Sequence, residues 1–352
     1  MSIHSDHSVE AISKPLSLFQ SGRACLLNQD YGVTLSIVVP LYNEADNIDA
    51  FLDRTERVLR ELLDPLGGSY EFIFINDGSS DDTVEKLLFH RERNPQVKIL
   101  SLSRNFGKES AMCAGLDYST GAAVVPMDVD LQDPPELLTD LFQKWLEGYD
   151  VIYAIRRDRH ADPWMKRLTA FGFFRLFNQV AETKIPKDTG DFRLMDRRVI
   201  QALGELPERT RFMKGLFTWV GFRQIGVEYD RHSRTSGNTK WNNRRLWNLA
   251  LDGITSFSIV PLRVWTYLGL TVSFLALSYG GLMTIRTVVE GIDVPGYASL
   301  MVTMLFLGGL NLFTLGVLGE YLGRMFMEVK GRPLYLLRET YGIEHAVQKQ
   351  MQ

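Results

Sequence analysis

Asp128 and Asp130 flank Val129, directly after the apolar run from Ala122 to Met127 and directly before Leu131, Gln132 and Asp133. A short β-branched run of this kind reads as a buried strand. Two carboxylates at i and i+2 beyond its end leave a turning backbone on the same side. They are hard oxygen donors, which suit Mg²⁺ or Mn²⁺ held together with a substrate phosphate. Taken alone, Asp-x-Asp is a common loop sequence, so its meaning depends on the elements around it.

Three further segments have the same layout. Leu35 to Glu44 is a hydrophobic strand that stops at Pro40 and runs into a polar turn. After it, Ile48, Phe51, Leu52, Val58, Leu59 and Leu62 recur at helical spacing within 45–63. Tyr70 to Thr83 is a second strand, ending at Asn76, Asp77 and Gly78, with Ser79 to Thr83 as N-caps for the next helix. Val97 to Lys108 is a third, followed by a short helix over 109–118. Strand, loop and helix repeated in this way predict βαβ units and a mostly parallel, Rossmann-like α/β sheet. In such sheets ligands lie beyond the carboxyl ends of the strands, where every one of these polar clusters falls.

The segments Val39 to Glu44, Asn76 to Thr83, Ser103 to Lys108 and Asp128 to Glu136 together resemble the inverting nucleotide-sugar glycosyltransferases of family 2. Within that family, about residues 34 to 330 are similar to the polyprenyl-phosphate glycosyltransferases, the dolichol-phosphate mannose synthases and above all the bactoprenol glucosyltransferases. The resemblance implies a GT-A fold and a divalent ion, Mg²⁺ or Mn²⁺. Asp130 would be the first metal ligand, with Gln132 adding a neutral oxygen. Asp128 would either ligate or hold the ribose and the metal shell. Pro40, Tyr42, Glu44, Asp77 and Lys108 would form the nucleotide site, although Asp77 and Glu44 are also good helix-capping residues. Asp191, in the segment Thr189 to Leu194, would contact the sugar or the metal shell, with Arg193 orienting it. Asp128, Asp130 and Asp191 are thus the candidate catalytic carboxylates.

The implied acceptor is a polyprenyl (undecaprenyl) phosphate. A phosphate monoester with its second pKa near ~6 is largely dianionic at neutral pH, so it needs cationic positioning more than a general base. Arg156 and Arg157 follow the strand 150–155, and Lys166 and Arg167 lie in the aromatic and basic stretch Trp164 to Phe177. These four are the candidates for the acceptor phosphate, and a solvated basic face beside anionic lipid is the competing reading. The glycine- and serine-rich stretch Arg231 to Lys240 matches the family's Arg-x-x-Gly-x-Ser/Thr-Lys pattern. It reads as a mobile loop with Arg234 and Lys240 as clamps on the donor diphosphate. The resemblance favours UDP-glucose as donor. It leaves mannose from GDP-mannose, galactose or an aminopentose as alternatives.

Val264 to Ile285 and Val294 to Gly319 contain no charged residue. Each is long enough, at about 20 residues, to cross the ~30 Å hydrocarbon layer. The expected organisation is therefore a tail over 1–32, a GT-A domain over 33–240, a juxtamembrane amphipathic helix over 241–262, two transmembrane helices (264–286 and 295–319) within 263–326, and a C-terminal tail over 327–352. Arg244, Arg245 and Arg263 on one flank, and Arg324, Lys330 and Arg332 on the other, place both termini and the catalytic domain in the cytoplasm of a bacterial inner-membrane protein. Gly319-x-x-x-Gly323 allows close helix contact and hence a homo-oligomer.

The net charge of −3 over 352 residues gives no surface for nucleic acid, and two cysteines give no disulfide framework. A processive synthase of the same fold should carry a Gln-x-x-Arg-Trp motif and more spans. A flippase would need polar groups inside the spans. A non-catalytic scaffold could dispense with Asp77, Asp128, Asp130 and Asp191, all of which are present.

Overall fold

The computed structural model describes residues 32–157, 189–208, 211, 213–229, 260–290 and 296–343. Lys166, Arg167, Arg234 and Lys240, the stretches 164–177 and 241–257, and the first 31 residues lie outside them.

The β-branched and aromatic runs form the strands that their composition favours. These are β1 (Leu35–Leu41), β2 (Tyr70–Asn76), β3 (Val97–Leu102) and β4 (Ala123–Pro126), all nearly devoid of exposed side chains. Both faces of a parallel sheet are covered by helices, so its strands are hydrophobic throughout rather than alternating. The connecting helices are α1 (Ile48–Leu63), α2 (Thr83–Arg93) and α3 (Lys108–Tyr118). After β4 come α4 (Leu137–Leu146), β5 (Val151–Arg156), β6 (Thr189–Asp196), α5 (Arg197–Glu205), α6 (Met213–Trp219) and β7 (Gln224–Tyr229).

The sheet has eight strands in the order β7-β5-β6-β4-β1-β2-β3-β8. β1 pairs in parallel with both β2 and β4, and β2 with β3. β6 runs antiparallel between β4 and β5, and β7 is parallel to β5. The chain moves outward from β1 through β2 and β3, then returns to the other side of β1 as β4. That reversal opens a crevice beyond the carboxyl ends of β1 and β4, the usual ligand position in an open α/β sheet.

Each face has its own core. On one, α1 buries Ile48, Phe51, Leu52, Thr55, Val58, Leu59 and Leu63. Phe51 there meets Phe72 and Phe74 edge-on at 6.4 and 6.2 Å between ring centroids. On the other, Val38, Ile73 and Ile75 pack under Ala111, Met112 and Ala114 of α3. At the end of the sheet opposite the crevice, the fully buried Glu71 accepts from Ser36 Oγ (2.5 Å), Thr120 N (2.7 Å) and Thr120 Oγ1 (2.9 Å), and is paired with Lys98. Burial alone would push its carboxyl up. These donors outweigh burial and hold it below the ordinary glutamate value.

Two long helices follow, α7 (Val260–Glu290) and α8 (Tyr297–Val329), with Trp265 and Phe313 in contact at 4.7 Å between ring centroids. Leucine, phenylalanine and valine side chains stand exposed along both. Among the described residues one helical stretch, Ser299–Val329, has the length and apolarity of a membrane span. α8 runs on past Gly319, and Glu320 and Arg324 pair on it at 3.1 Å.

The C-terminal tail expected over 327–352 is corrected in part. Leu337–Tyr341 forms β8, an antiparallel partner of β3 at the sheet edge. Leu334, Tyr335, Leu337 and Ile343 pack against the core, and the Tyr335 hydroxyl donates to Asp117 of α3 at 2.9 Å. The physical reason is the open edge of β3, whose unpaired N–H and C=O groups need a partner. A short segment carrying apolar residues supplies one.

Candidate active site

The turns beyond β1, β2, β3 and β4 are tied to one another. The Asn43 backbone (φ 55°) donates to Ser79 Oγ at 2.9 Å, and its side-chain oxygen accepts from Ser80 N at 2.8 Å. The Glu44 N–H reaches Thr83 Oγ1 at 3.2 Å, and the Glu44 carboxylate accepts from Asn47 at 2.6 Å. Tyr42, next to Pro40 and Leu41 of β1, is exposed on this rim. Gly78 has φ 69°, and a Cβ there would stand 2.7 Å from the Arg104 carbonyl carbon. Only glycine lets the β2 turn meet the loop after β3 so closely.

Asp77 is buried, and its two oxygens accept from the backbone N–H groups of Phe106 (2.7 Å) and Gly107 (2.9 Å). Burial pushes its carboxyl above the ordinary value, against the pull of those N–H groups. Of the two readings open in the sequence, nucleobase contact and capping, the structure displays a third: Asp77 fixes the loop that starts α3. The first residue of α3 is Lys108. Its ammonium lies 2.7 Å from Asp128 Oδ1 and 2.8 Å from Asp191 Oδ2. Burial opposes its charge, but the two carboxylates outweigh burial and raise its pKa above the ordinary lysine value. Residues 20 and 83 positions apart from the lysine therefore share one centre.

The loop after β4 is sharply folded. Leu131 has φ 53°, a left-handed conformation that a branched side chain rarely adopts and that concentrates at functional sites. Asp130 Oδ1 accepts from Gln132 N at 3.1 Å across that turn. Gln132 is 4% exposed, and its buried Nε2 has no hydrogen-bond partner among the described residues.

Arg193 is equally buried. Its Nη2 donates to Gly190 O at 2.8 Å, its guanidinium lies 3.9 Å over the Phe217 ring, and its Nε has no hydrogen-bond partner among the described residues. Burial lowers its pKa to about 10, against the pull of Asp191 and Glu109. Arg193 thus holds the backbone just before Asp191. Arg157 is exposed and pairs with Glu228 at 3.3 Å. Arg156 is half-buried, feels the charge of Asp191, and donates from Nε to the Tyr229 hydroxyl at 3.3 Å. Tyr229 and its other partner Asp133 escaped the sequence reading. β7, with its glycine and glutamate, carries little strand signal, and nothing local to Asp133 points to a tyrosine 96 residues on.

Residues 36–204 match glycosyl transferase family 2, and residues 260–325 match the GtrB C-terminal hairpin. An uncharacterized glycosyltransferase of Synechocystis is 56% identical over 89% of this chain and 97% of its own length. The chain belongs to glycosyltransferase family 2. Within the family, it is 48% identical to the SfII prophage-derived bactoprenol glucosyl transferase of Shigella flexneri, over 87% of this chain and 98% of that one. The prophage bactoprenol glucosyl transferase homolog of Escherichia coli K12 is 47% identical over 87% and 99%. Among solved structures, mannosyl-3-phosphoglycerate synthase from Rubrobacter xylanophilus resembles it at a TM-score of 0.45 and 19% identity, covering 68% of this chain and 75% of that one. The family 2 transferase has a GT-A-like, mostly parallel sheet and a hairpin segment that associates with membranes.

Among the described residues no three of His, Cys, Asp and Glu cluster as a metal site. The oxygen donors of the loop after β4 are two carboxylates, Asp128 and Asp130, and the amide oxygen of Gln132, whose unpartnered Nε2 carries N–H groups and cannot itself ligate a cation. That set fits a divalent ion whose remaining positions are filled by a donor diphosphate and water, the usual habit of Mg²⁺.

Proposed function

We propose that the protein transfers glucose from UDP-glucose to a polyprenyl phosphate with inversion, producing a lipid-linked sugar for cell-surface glycan assembly. The likeness to bactoprenol glucosyl transferases carries this reading, because it runs through catalytic sheet and hairpin together over nearly their whole length. A phosphate oxygen of the acceptor forms the new bond to the anomeric carbon. The bond from that carbon to the diphosphate oxygen breaks on the opposite face, and UDP leaves with the electron pair. The dianionic acceptor is already a nucleophile and needs no strong base. Asp128, Asp130 and Gln132 would hold Mg²⁺ or Mn²⁺, which supplies charge neutralisation for the leaving diphosphate. Lys108 adds a fixed cation at the same rim, and Asp191, held by Arg193 through Gly190, faces the sugar. Of the two described candidates for the acceptor phosphate, Arg156 is favoured over Arg157, which is paired with Glu228, and Lys166 and Arg167 remain candidates beside it.

The hairpin crosses the membrane twice in this reading. β8 belongs to the same sheet as β1 to β7, so a chain that leaves this body at α7 and returns after α8 crosses an even number of times. Arginine and lysine at both flanks put that body in the cytoplasm. A panel of radiolabelled nucleotide sugars offered to membranes with polyprenyl phosphate tests the reading. UDP-glucose is expected to label the lipid fastest, and labelling from another donor alone would change the sugar.

A further inference from the structure

Arg156 and Tyr229 are register partners at the carboxyl ends of the parallel strands β5 and β7, so their side chains leave the same face of the sheet. The Tyr229 hydroxyl accepts from Arg156 Nε and donates to Asp133, which lies three residues beyond Asp130. Tyr229 and Asp133 are both buried. The two terminal nitrogens of Arg156 make no hydrogen bond to the described residues, and Nη2 lies 3.4 Å from where a Cβ on Gly190, the neighbour of Asp191, would stand. Tyr229 thus joins the acidic loop after β4 to the arginine at the end of β5.

The choice of a hydroxyl between cation and carboxylate has a consequence. A direct Arg–Asp pair tends to be bidentate and would occupy the guanidinium fork. With a phenol interposed, the carboxylate steadies the cation through Nε alone and the fork stays open for a second anion. We infer that Tyr229 and Asp133 are positioning residues for the acceptor phosphate, holding Arg156 with its open fork toward the lipid phosphate beside Asp191. The inference rests on the proposed transfer to a lipid phosphate.

The test is the KM split in full-length protein reconstituted in lipid. Tyr229→Phe removes one hydroxyl, and the loss of one such buried link is expected to raise the KM for polyprenyl phosphate about 5- to 30-fold. The KM for the nucleotide sugar should stay at the wild-type value, which a general loss of stability would not guarantee. Arg156→Ala should raise the acceptor KM at least as much, and the double variant should be no worse than Arg156→Ala alone. Should Tyr229→Phe fail to fold, Asp133→Asn weakens the same link from its other end. It is then expected to raise the acceptor KM at an unmoved donor KM. A wild-type acceptor KM in the positioning variant beside a raised one in Arg156→Ala overturns the inference and leaves the proposed reaction standing, as do effects that multiply in the double variant. A wild-type acceptor KM in Arg156→Ala removes Arg156 from the acceptor site and the inference with it. Failure of the wild type to label any polyprenyl phosphate overturns the proposed reaction itself.

Discussion

The Lys108 ammonium lies 2.7 Å from the Asp128 carboxylate, and this one contact joins the start of α3 to the end of β4. The same ammonium reaches Asp191 on β6. Three elements that fold from distant parts of the chain therefore meet at a single cation, where a donor diphosphate and a sugar would also have to meet. Replacing Lys108 with Met keeps the length and removes the charge. Transfer is expected to fall by about 10²- to 10³-fold, the usual effect of losing one preorganised electrostatic group. Steady-state kinetics with saturating acceptor read this directly, and more than a tenth of wild-type kcat/KM in the variant would take Lys108 out of the site.

Much of this arrangement was legible in the sequence, and the rest was hidden for identifiable reasons. β1 to β4 are uninterrupted apolar runs, and α1 has a clear apolar stripe from Ile48 to Leu63, so local pattern is enough to find them. Asp128 and Asp130 announce themselves by following a strand. The partners of Lys108 cannot be read that way, because nothing local to the lysine points to an aspartate 83 residues on. Asp77 was visible as a strand-end carboxylate, but its grip on Phe106 and Gly107 depends on the close approach that Gly78 allows. β8 was missed because a five-residue edge strand after a membrane segment has almost no pattern of its own. Its existence follows from the need of β3 for a partner.

Glu71 should set part of the acid stability of the catalytic sheet. Its folded pKa lies below the ordinary value, so its contribution is complete above the unfolded value of ~4.3 and is lost as pH falls through the lower folded one. Glu71→Ala leaves Lys98 and the Thr120 N–H without their acceptor and is expected to cost about 3 kcal/mol or more at neutral pH. Thermal melts from pH 7 downward should show the wild type and the variant converging in acid. Parallel curves at every pH would contradict the assignment.

The C-terminal segment should behave as part of the catalytic body. Asp117 is pushed up by burial, and the Tyr335 hydroxyl is the donor that counters this. Tyr335→Phe is expected to cost about 1–2 kcal/mol, and removal of residues 333–352 should expose the β3 edge and lower the melting temperature further. Protease digestion of the truncated protein in lipid checks this, and unchanged resistance of the sheet would contradict it.

Membrane topology is open to a labelling test. Single cysteines placed at 291–295, between α7 and α8, should react with an impermeant maleimide added outside intact cells. A cysteine at position 344, just past β8, should react only after lysis. Labelling of both from outside would contradict an even number of crossings with a cytoplasmic sheet.

The most direct measurement is transfer of labelled glucose from UDP-glucose to polyprenyl phosphate by purified wild-type protein and by Asp130→Asn, with divalent ion present. The account predicts a glucosyl phosphate lipid from the wild type and a loss of about 10²-fold or more in the variant, with melting temperature unchanged. Near-normal turnover by Asp130→Asn would contradict it.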